Sequence, residues 1–512
     1  MRLRATAHTA FLSLLLLLAG CLVGPNYYRP SPAAEPAPRY KELPGWVPAA
    51  PADAAPKGDW WIDFRDPLLD RLEPSVGISN QTVLADYQNY QQALALVREA
   101  DAALFPTIGA TGFVTRSRSN VTVTSSGANV ATAPSAVATP TAAAASRTAS
   151  VPSAFEITEG AVEGTVSWDL DIWGKVRRTI EENQANAQAS EATLANATLS
   201  EQVTLATTVI NLRVTDIDID LLTRTVTEYT EYLRVVSNAV KAGYSLYPPS
   251  DELIARVQLE NAQASLIALG VARAQYEHAI AVLVGRNPED LDIPRSTGLP
   301  AMPEIPVGVP SILLQRRPDI AAAERTMKAQ NAAIGVAVAA YYPDISLSAA
   351  YGFAQGPLGG LFSAANTVWS IGATGTETIF DFGARRAEVA AAKAAYQSAV
   401  ANYRATVLSA FQGVEDNLAG LRILSLEAEA LRAAVRDAKS AAQIALNEYL
   451  AGTVDYTTVA TAQATALTDE ENLLTVRQNE LVEAATLIGD LGGGWSEAQL
   501  NNVPYLDTPA QW

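Results

Sequence analysis

Few residues in this chain are equipped for chemistry, and one of them stands out by its setting. Cys21, the only cysteine, follows Leu18-Ala19-Gly20 at the end of a short apolar run over residues 11–18, itself preceded by Arg2 and Arg4. A basic start, an apolar middle and a small-residue end make residues 1–20 a secretory signal peptide. The run is too short to span a bilayer. A thiol directly after Leu-Ala-Gly is the pattern at which bacteria attach lipid, and Cys21 then becomes the new N-terminus. A chance cysteine behind an ordinary signal peptide is the alternative. Leu22, rather than an aspartate, comes next, which favours the outer over the inner membrane. With one cysteine no disulfide forms within the chain.

The remaining reactive side chains do not assemble into a site. His278 is the only histidine after the signal peptide and sits in a helical stretch, Gln275-Tyr276-Glu277-His278, where a solvated or structural role is the simple reading. Glu181-Glu182 and Glu470-Glu471 also lie on helices, and Met302 and Met327 form no soft-metal cluster. There is no phosphate-binding glycine loop with lysine, no His-Glu-x-x-His and no Gly-x-Ser-x-Gly. The sequence therefore predicts no enzyme, no metal and no cofactor beyond a covalent lipid on Cys21. A formal charge of −18 repels phosphate backbones and argues against nucleic acid as a partner.

Farther along the chain, residues 21–59 carry nine prolines. They read as a lipidated, extended tether that holds the folded body off its anchor. Folded structure begins at Trp60-Trp61. A helical pattern from about residue 80 ends at Leu104-Phe105-Pro106, followed by a strand over about 107–118. Residues 119–154, a Ser/Thr/Ala/Val segment without an aromatic, read as a long exposed loop. A second strand, about 160–173, alternates Val162, Gly164, Val166, Trp168 and Leu170 with polar residues. A long helix over 175–241, a return helix over 250–285 and a proline-rich linker over 286–310 follow.

The plan then repeats. A helix ends at Tyr341-Tyr342-Pro343; strands cover about 344–354 and 367–382; a long helix runs over 384–450 and a return helix over 457–490. Residues 60–310 and 311–495 are thus two copies of one unit, and 496–512 are a tail. Gly174 and Gly383, Gly243 and Gly452, and Tyr247 and Tyr456 are all separated by the same step (383 − 174 = 209). Pro106 and Pro343 are separated by 237, and the 28-residue excess falls in the low-complexity segment, where insertion is least costly. In each copy the long helix would be a rod of roughly 100 Å at about 1.5 Å per residue. Val389, Tyr396, Val400, Tyr403, Val407, Phe411, Val414, Leu418 and Leu421 recur at the three-and-four spacing of a coiled-coil seam.

No segment after the leader is apolar enough for a membrane-crossing helix, so a crossing would have to be a closed barrel. Four strands are too few to close one. Three copies would supply twelve. The expectation is an α+β membrane protein, internally duplicated, with four strands per chain forming a twelve-stranded barrel as a trimer and a long helical tunnel extending into the periplasm. A structural periplasmic lipoprotein whose hairpins never enter lipid is the alternative from the residues alone.

Several motifs, taken in order, resemble the outer membrane factor (TolC-like) efflux channels, in their NodT/OprM-like lipoprotein branch. They are Cys21-Leu22-Val23-Gly24-Pro25-Asn26-Tyr27, Trp60-Trp61, Trp168-Asp169-Leu170-Asp171-Ile172-Trp173-Gly174-Lys175, Arg316-Arg317-Pro318-Asp319-Ile320, Phe380-Asp381-Phe382-Gly383 and Leu491-Gly492-Gly493-Gly494-Trp495. The resemblance implies a homotrimeric exit duct in the outer membrane for small molecules such as drugs. It further implies docking on a periplasmic adaptor coupled to an inner-membrane pump, often proton-driven and of RND type. It places adaptor-docking turns at Ala242-Gly243 and Ala451-Gly452, and a periplasmic constriction at Tyr247, Asp251, Asp455, Tyr456 and Thr461. Relatives usually read Leu-Asp-Ala-Gln where this chain has Ala460-Thr461-Ala462-Gln463, so the gate carboxylate is absent; Asp251 or Asp455 are the candidates to replace it. A protein-secretion conduit of the same fold remains the other channel reading.

Overall fold

The computed structural model describes residues 22–31, 39–42, 59–124, 150–242, 248–305, 316–355, 359–495 and 500. Cys21, Gly243 and Tyr247 lie outside them. The chain runs α1 (Pro67–Ser79), α2 (Gln81–Ala102), β1 (Thr107–Thr124), β2 (Ser150–Leu170), α3 (Lys175–Lys241) and α4 (Pro249–Leu283). The second copy is α5 (Pro318–Ala339), β3 (Asp344–Gln355), β4 (Thr367–Thr376), α6 (Ala384–Leu450) and α7 (Tyr456–Asp490). The long helices α3 and α6 have 67 residues each.

Two compact units emerge, and they do not follow the two copies. One comprises residues 1–23, 100–177 and 338–385, and the other 24–99, 178–337 and 386–512. Each draws on both repeats.

The first unit is a four-stranded antiparallel sheet in the order β1-β2-β3-β4. Its strands take in both ends of the loop expected over 119–154, whose middle, 125–149, lies outside the described residues. β1 continues to Thr124 and β2 starts at Ser150, paired throughout as far as Thr124↔Ser150. Lack of aromatics limits what a segment can bury, but ladder pairing needs only backbone groups, and Val and Thr suit a strand. β4 in turn stops at Thr376, short of the expected residue 382, because its partner β3 begins at Asp344, opposite Thr376. Ile108, Phe113, Val114, Val166, Trp369 and Ile371 are exposed on this sheet, an apolar surface that a single chain leaves uncovered.

Each strand-to-helix corner is built on a glycine and an Asp–Arg pair. At the first corner Gly174 has φ 82°. Asp171 accepts hydrogen bonds from the amides of Val176 and Arg177 at 2.9 and 3.0 Å and from Arg177 Nε at 2.9 Å. At the second, Gly383 has φ 92°, and Asp381 accepts from the amides of Gly383 and Arg385 and from Arg385 Nε at 2.7 Å. Trp173 stacks on Tyr342 with ring centroids 4.8 Å apart, and its indole donates to Pro343 O at 2.9 Å.

The second unit holds the core. Trp60, Trp61, Phe64 and Leu69 pack with Leu205, Ile210, Leu418 and Leu487 in one apolar cluster. The α6 seam continues into a second cluster through Val400, Tyr403 and Val407, joined by Ile320 and Met327. Asp66 caps α1 by accepting from Leu68 N at 2.6 Å and also pairs with Arg213 at 2.9 Å, both side chains buried. The Arg-Arg-Pro-Asp motif closes the far end of the second copy. Arg317 binds Asp319 at 2.8 Å and Asp490 at 2.7 Å, while Asn417 donates to Asp490 at 2.7 Å. Gly492 has no room for a side chain, since a Cβ there would lie 2.3 Å from Arg316 O.

Of the tether expected over 21–59, the described residues also depart from expectation. Residues 22–31 are without helix or strand, as proline-rich chain should be, yet they do not stand off the body. In the first unit Val23 N donates to Trp173 O at 3.2 Å. In the second, Asn331 Nδ2 donates to Pro25 O at 3.0 Å, buried Arg178 donates to Asn26 Oδ1 at 3.1 Å, and the Tyr27 hydroxyl donates to Glu324. Composition forecasts an extended backbone but says nothing of the polar partners that dock it.

Glu73 on α1 is fully buried, and neither carboxylate oxygen has a partner among the described residues. Burial pushes its carboxyl up to about 9. The native state therefore keeps the proton that the unfolded chain loses near 4.5. Stability is full below that value and declines by about 1.4 kcal/mol per pH unit as pH rises toward the native value. Glu73→Met should flatten this slope: denaturant midpoints of the two proteins should diverge steadily between pH 5 and pH 8, the variant being the more stable at the alkaline end.

Candidate functional site

The two helix turns of the second unit are made differently. The α6–α7 turn is a glycine-terminated helix end: Gly452 has φ 75°, its amide donates to Tyr449 O at 2.9 Å, and Thr453 N reaches back to Glu448 O at 3.0 Å. Only glycine takes this left-handed position without strain. α7 then starts behind Asp455, with Thr458 N donating to Asp455 O. At the other turn α3 ends near Ala242, and α4 starts on Pro249 behind Pro248, a first-turn proline being pre-set for a helix.

Beside these ends the structure gathers a small buried cluster, Val236, Ala255, Ala445, Tyr449, Tyr456 and Val459. The rings of Tyr449 and Tyr456 meet edge to face at 5.2 Å. The Tyr449 hydroxyl donates to Asp251 Oδ2 at 3.1 Å in a buried setting. This bond ties the start of the first copy's return helix to the end of the second copy's long helix. Burial raises the Asp251 carboxyl, the charge of Asp455 adds to the rise, and the Tyr449 and Ser250 hydrogen bonds oppose it. Burial likewise pushes the Tyr456 hydroxyl upward, with Tyr229, Tyr232 and Asp251 adding to it.

The structure thus brings Asp251 and Tyr456 together but separates them by role from Asp455 and Thr461, both exposed. Asp251 is 5% exposed, so its charge is spent inside the cluster. Thr461 donates its hydroxyl to Thr457 O at 2.8 Å, and Thr465 donates to Thr461 O at 2.9 Å. These threonines, with Ile254 and Val257, line a groove of about 540 Å³ between α4 and α7 whose lining includes one charged side chain, Asp469. Gln258 spans the same pair of helices through its bond to Ala460 O at 3.2 Å. Sequence reasoning does not single out Tyr449. The position 209 earlier is Val240, so the repeat carries no signal for it.

His278 is exposed on α4. No group of three or more His, Cys, Asp or Glu is placed to hold a metal ion among the described residues, nor is any described helix long and apolar enough to cross a membrane. The arrangement ties the start of α4 to the end of α6 and presents a threonine-rich surface next to them, with Asp455 and Asp469 as carboxylates at that end.

The model of the outer membrane efflux protein family matches residues 76–286 and 309–493. A toluene efflux pump outer membrane protein of Pseudomonas putida, TtgC, is 29% identical, the alignment covering 99% of each chain. The solved outer-membrane channel OprN is 26% identical with a TM-score of 0.79, covering 93% of this chain and 100% of its own. The MtrE outer membrane channel of Neisseria gonorrhoeae, solved in its open state, is 25% identical with a TM-score of 0.77, covering 93% and 99%.

Tyr449→Phe should loosen the turns. A hydrogen bond to a charged partner contributes about 1.5–3 kcal/mol, so amide exchange at residues 250–256 and 449–456 should quicken by roughly tenfold or more. Amides around Trp60 and Ile210 belong to the separate main cluster and should hold their rates.

Proposed function

The chain belongs to the outer membrane efflux protein family, and from that footing we propose that it is the exit duct of a tripartite efflux system for drugs or other toxic small molecules. It is an outer-membrane channel component and not an enzyme. The supporting observation is the duplicated plan of strand pair, long helix, turn and return helix, with the family model falling on both copies. On this reading the duct works as a homotrimer, takes cargo from a periplasmic adaptor and an inner-membrane pump of RND type, and is held to the membrane also by lipid on Cys21. Ala242-Gly243 and Ala451-Gly452 are the surfaces offered to the adaptor.

Transport needs no bond-making by this chain. What its residues contribute is a passage and a gate. The Tyr449–Asp251 bond and the packed Tyr456 ring tie the start of α4 to the end of α6. Opening must break that bond or carry both helix ends together. The lip carries no charge at Thr461, and Asp251 is turned inward, which leaves Asp455 as the exposed carboxylate beside it. A ring of hydroxyls lacks the full negative charge that a hard divalent cation favours.

Deleting the gene should lower the inhibitory concentration of several exported drugs severalfold while leaving secreted proteins unchanged. The opposite pattern would favour the protein-secretion conduit. In planar bilayers the wild-type conductance should change little when Mg²⁺ or Ca²⁺ is added, whereas Thr461→Asp should create a block. Strong block of the wild-type channel would overturn this reading of the lip.

A further inference from the structure

The internal repeat extends to the hydrogen-bond register of the sheet. β1 and β3 are related by the step of 237 that separates Pro106 from Pro343, and β2 and β4 by the step of 209 that separates Gly174 from Gly383. Applied to the observed pair Thr107↔Ser167, these steps give residues 344 and 376. Asp344↔Thr376 is the pair the structure contains. The two copies therefore agree to the residue in how their own strands pair.

The middle ladder, β2 with β3, joins the first copy to the second. The same operation carries it onto β4 and a further β1. Within one chain β1 and β4 each have only one neighbour, so that further β1 must come from another copy. We infer that β4 pairs with β1 of the next copy in the register that the repeat dictates, with Thr374 opposite Phe113 and Ile379 opposite Ile108, and that Phe382 packs on Phe105 across the same joint. The inference rests on the homotrimer of the proposed function and adds its residue-level seam.

The register follows from Thr165↔Ala350 and Leu170↔Ile345, moved by 209 and 237. The aromatic contact follows from Trp173 on Tyr342, which lie in line with that ladder. Their counterparts are Phe382 and Phe105. Phe382 is 92% exposed and Phe105 54% exposed in the single chain. Phe382 also has φ 52°, a left-handed backbone in which the Cβ of a bulky residue crowds the chain. Within the chain its ring meets that of Phe380 at 4.5 Å, which still leaves it open to solvent. A phenyl ring held in that strained position and left in solvent is accounted for when a second copy covers it. Continuing β4 toward residue 382 against the next chain also gives the segment after Thr376 the partner that β3 does not provide.

Cysteine pairs in the full-length, membrane-inserted protein test the seam. β1 and β4 of one chain are separated by three strand spacings, about 14 Å, beyond the reach of a disulfide. A bond between positions 113 and 374 must therefore join two chains. T374C/F113C should give disulfide-linked trimers on a denaturing gel without reductant. T374C/T111C and T374C/T115C, shifted by two residues, should give few. Shifted pairs that link as well, or no linking in a protein that is trimeric by native mass, would overturn the register. A monomeric detergent-extracted wild type would instead overturn the trimer and the seam together. F382A and F105A should each lower the temperature at which the trimer dissociates, and the double variant should go no lower than the worse single one. Additive losses would assign the two rings to separate surroundings such as lipid, and would overturn the contact.

Discussion

A four-stranded sheet leaves two rows of backbone N–H and C=O groups unpaired, one along β1 and one along β4. In hydrocarbon each unpaired group costs several kcal/mol. Much of this molecule is arranged around that constraint. The strands are short relative to the chain and come as one pair per repeat. The exposed apolar residues on them need lipid or protein cover.

Beyond the sheet, the chain relies on small residues and on a few well-placed ion pairs. Ala holds four of the twelve buried positions of α6 and three of the nine of α7, which permits close helix approach but limits the apolar area removed from water. Charged ties sit where the helical layers must be fixed in register. Asp66–Arg213 fixes α1 to α3. Asp216–Arg273, with Glu277 on Ile293 N, fixes the linker after α4. Arg317–Asp490 fixes the start of α5 to the end of α7. Such pairs add little net stability when buried, but removing one partner leaves a costly bare charge. They therefore specify one arrangement among many that a stripe of alanines would tolerate.

The long helices are plain in the sequence because their caps and seams are local: glycine corners, an unbroken proline-free run and a three-and-four spacing that Val400, Tyr403 and Val407 realise as core. The sheet is half legible. Alternation locates β2, but the extension of β1 and β2 through Ser, Thr and Val depends on the mutual pairing of two segments that neither reveals alone. The docking of residues 22–27 and the Tyr449–Asp251 bond are not legible. Both depend on groups far apart in sequence, and Tyr449 has no counterpart in the first copy to mark it. The compact units are hidden for a related reason, since each is assembled from both repeats.

The seat of the N-terminal segment has a consequence in time. Gly24, at φ 92°, lies so close to Gly335 that a Cβ on it would come within 2.5 Å of the Gly335 Cα, and Asn331 and Glu324 hold Pro25 and Tyr27. All three belong to the second repeat. The segment from Gly24 to Tyr27 thus has no complete seat until the second copy has been made and α5 has formed. Closing a loop of some three hundred residues is slow compared with local helix growth. Residues made early therefore reach their partners only after helices that depend on near neighbours can already have formed.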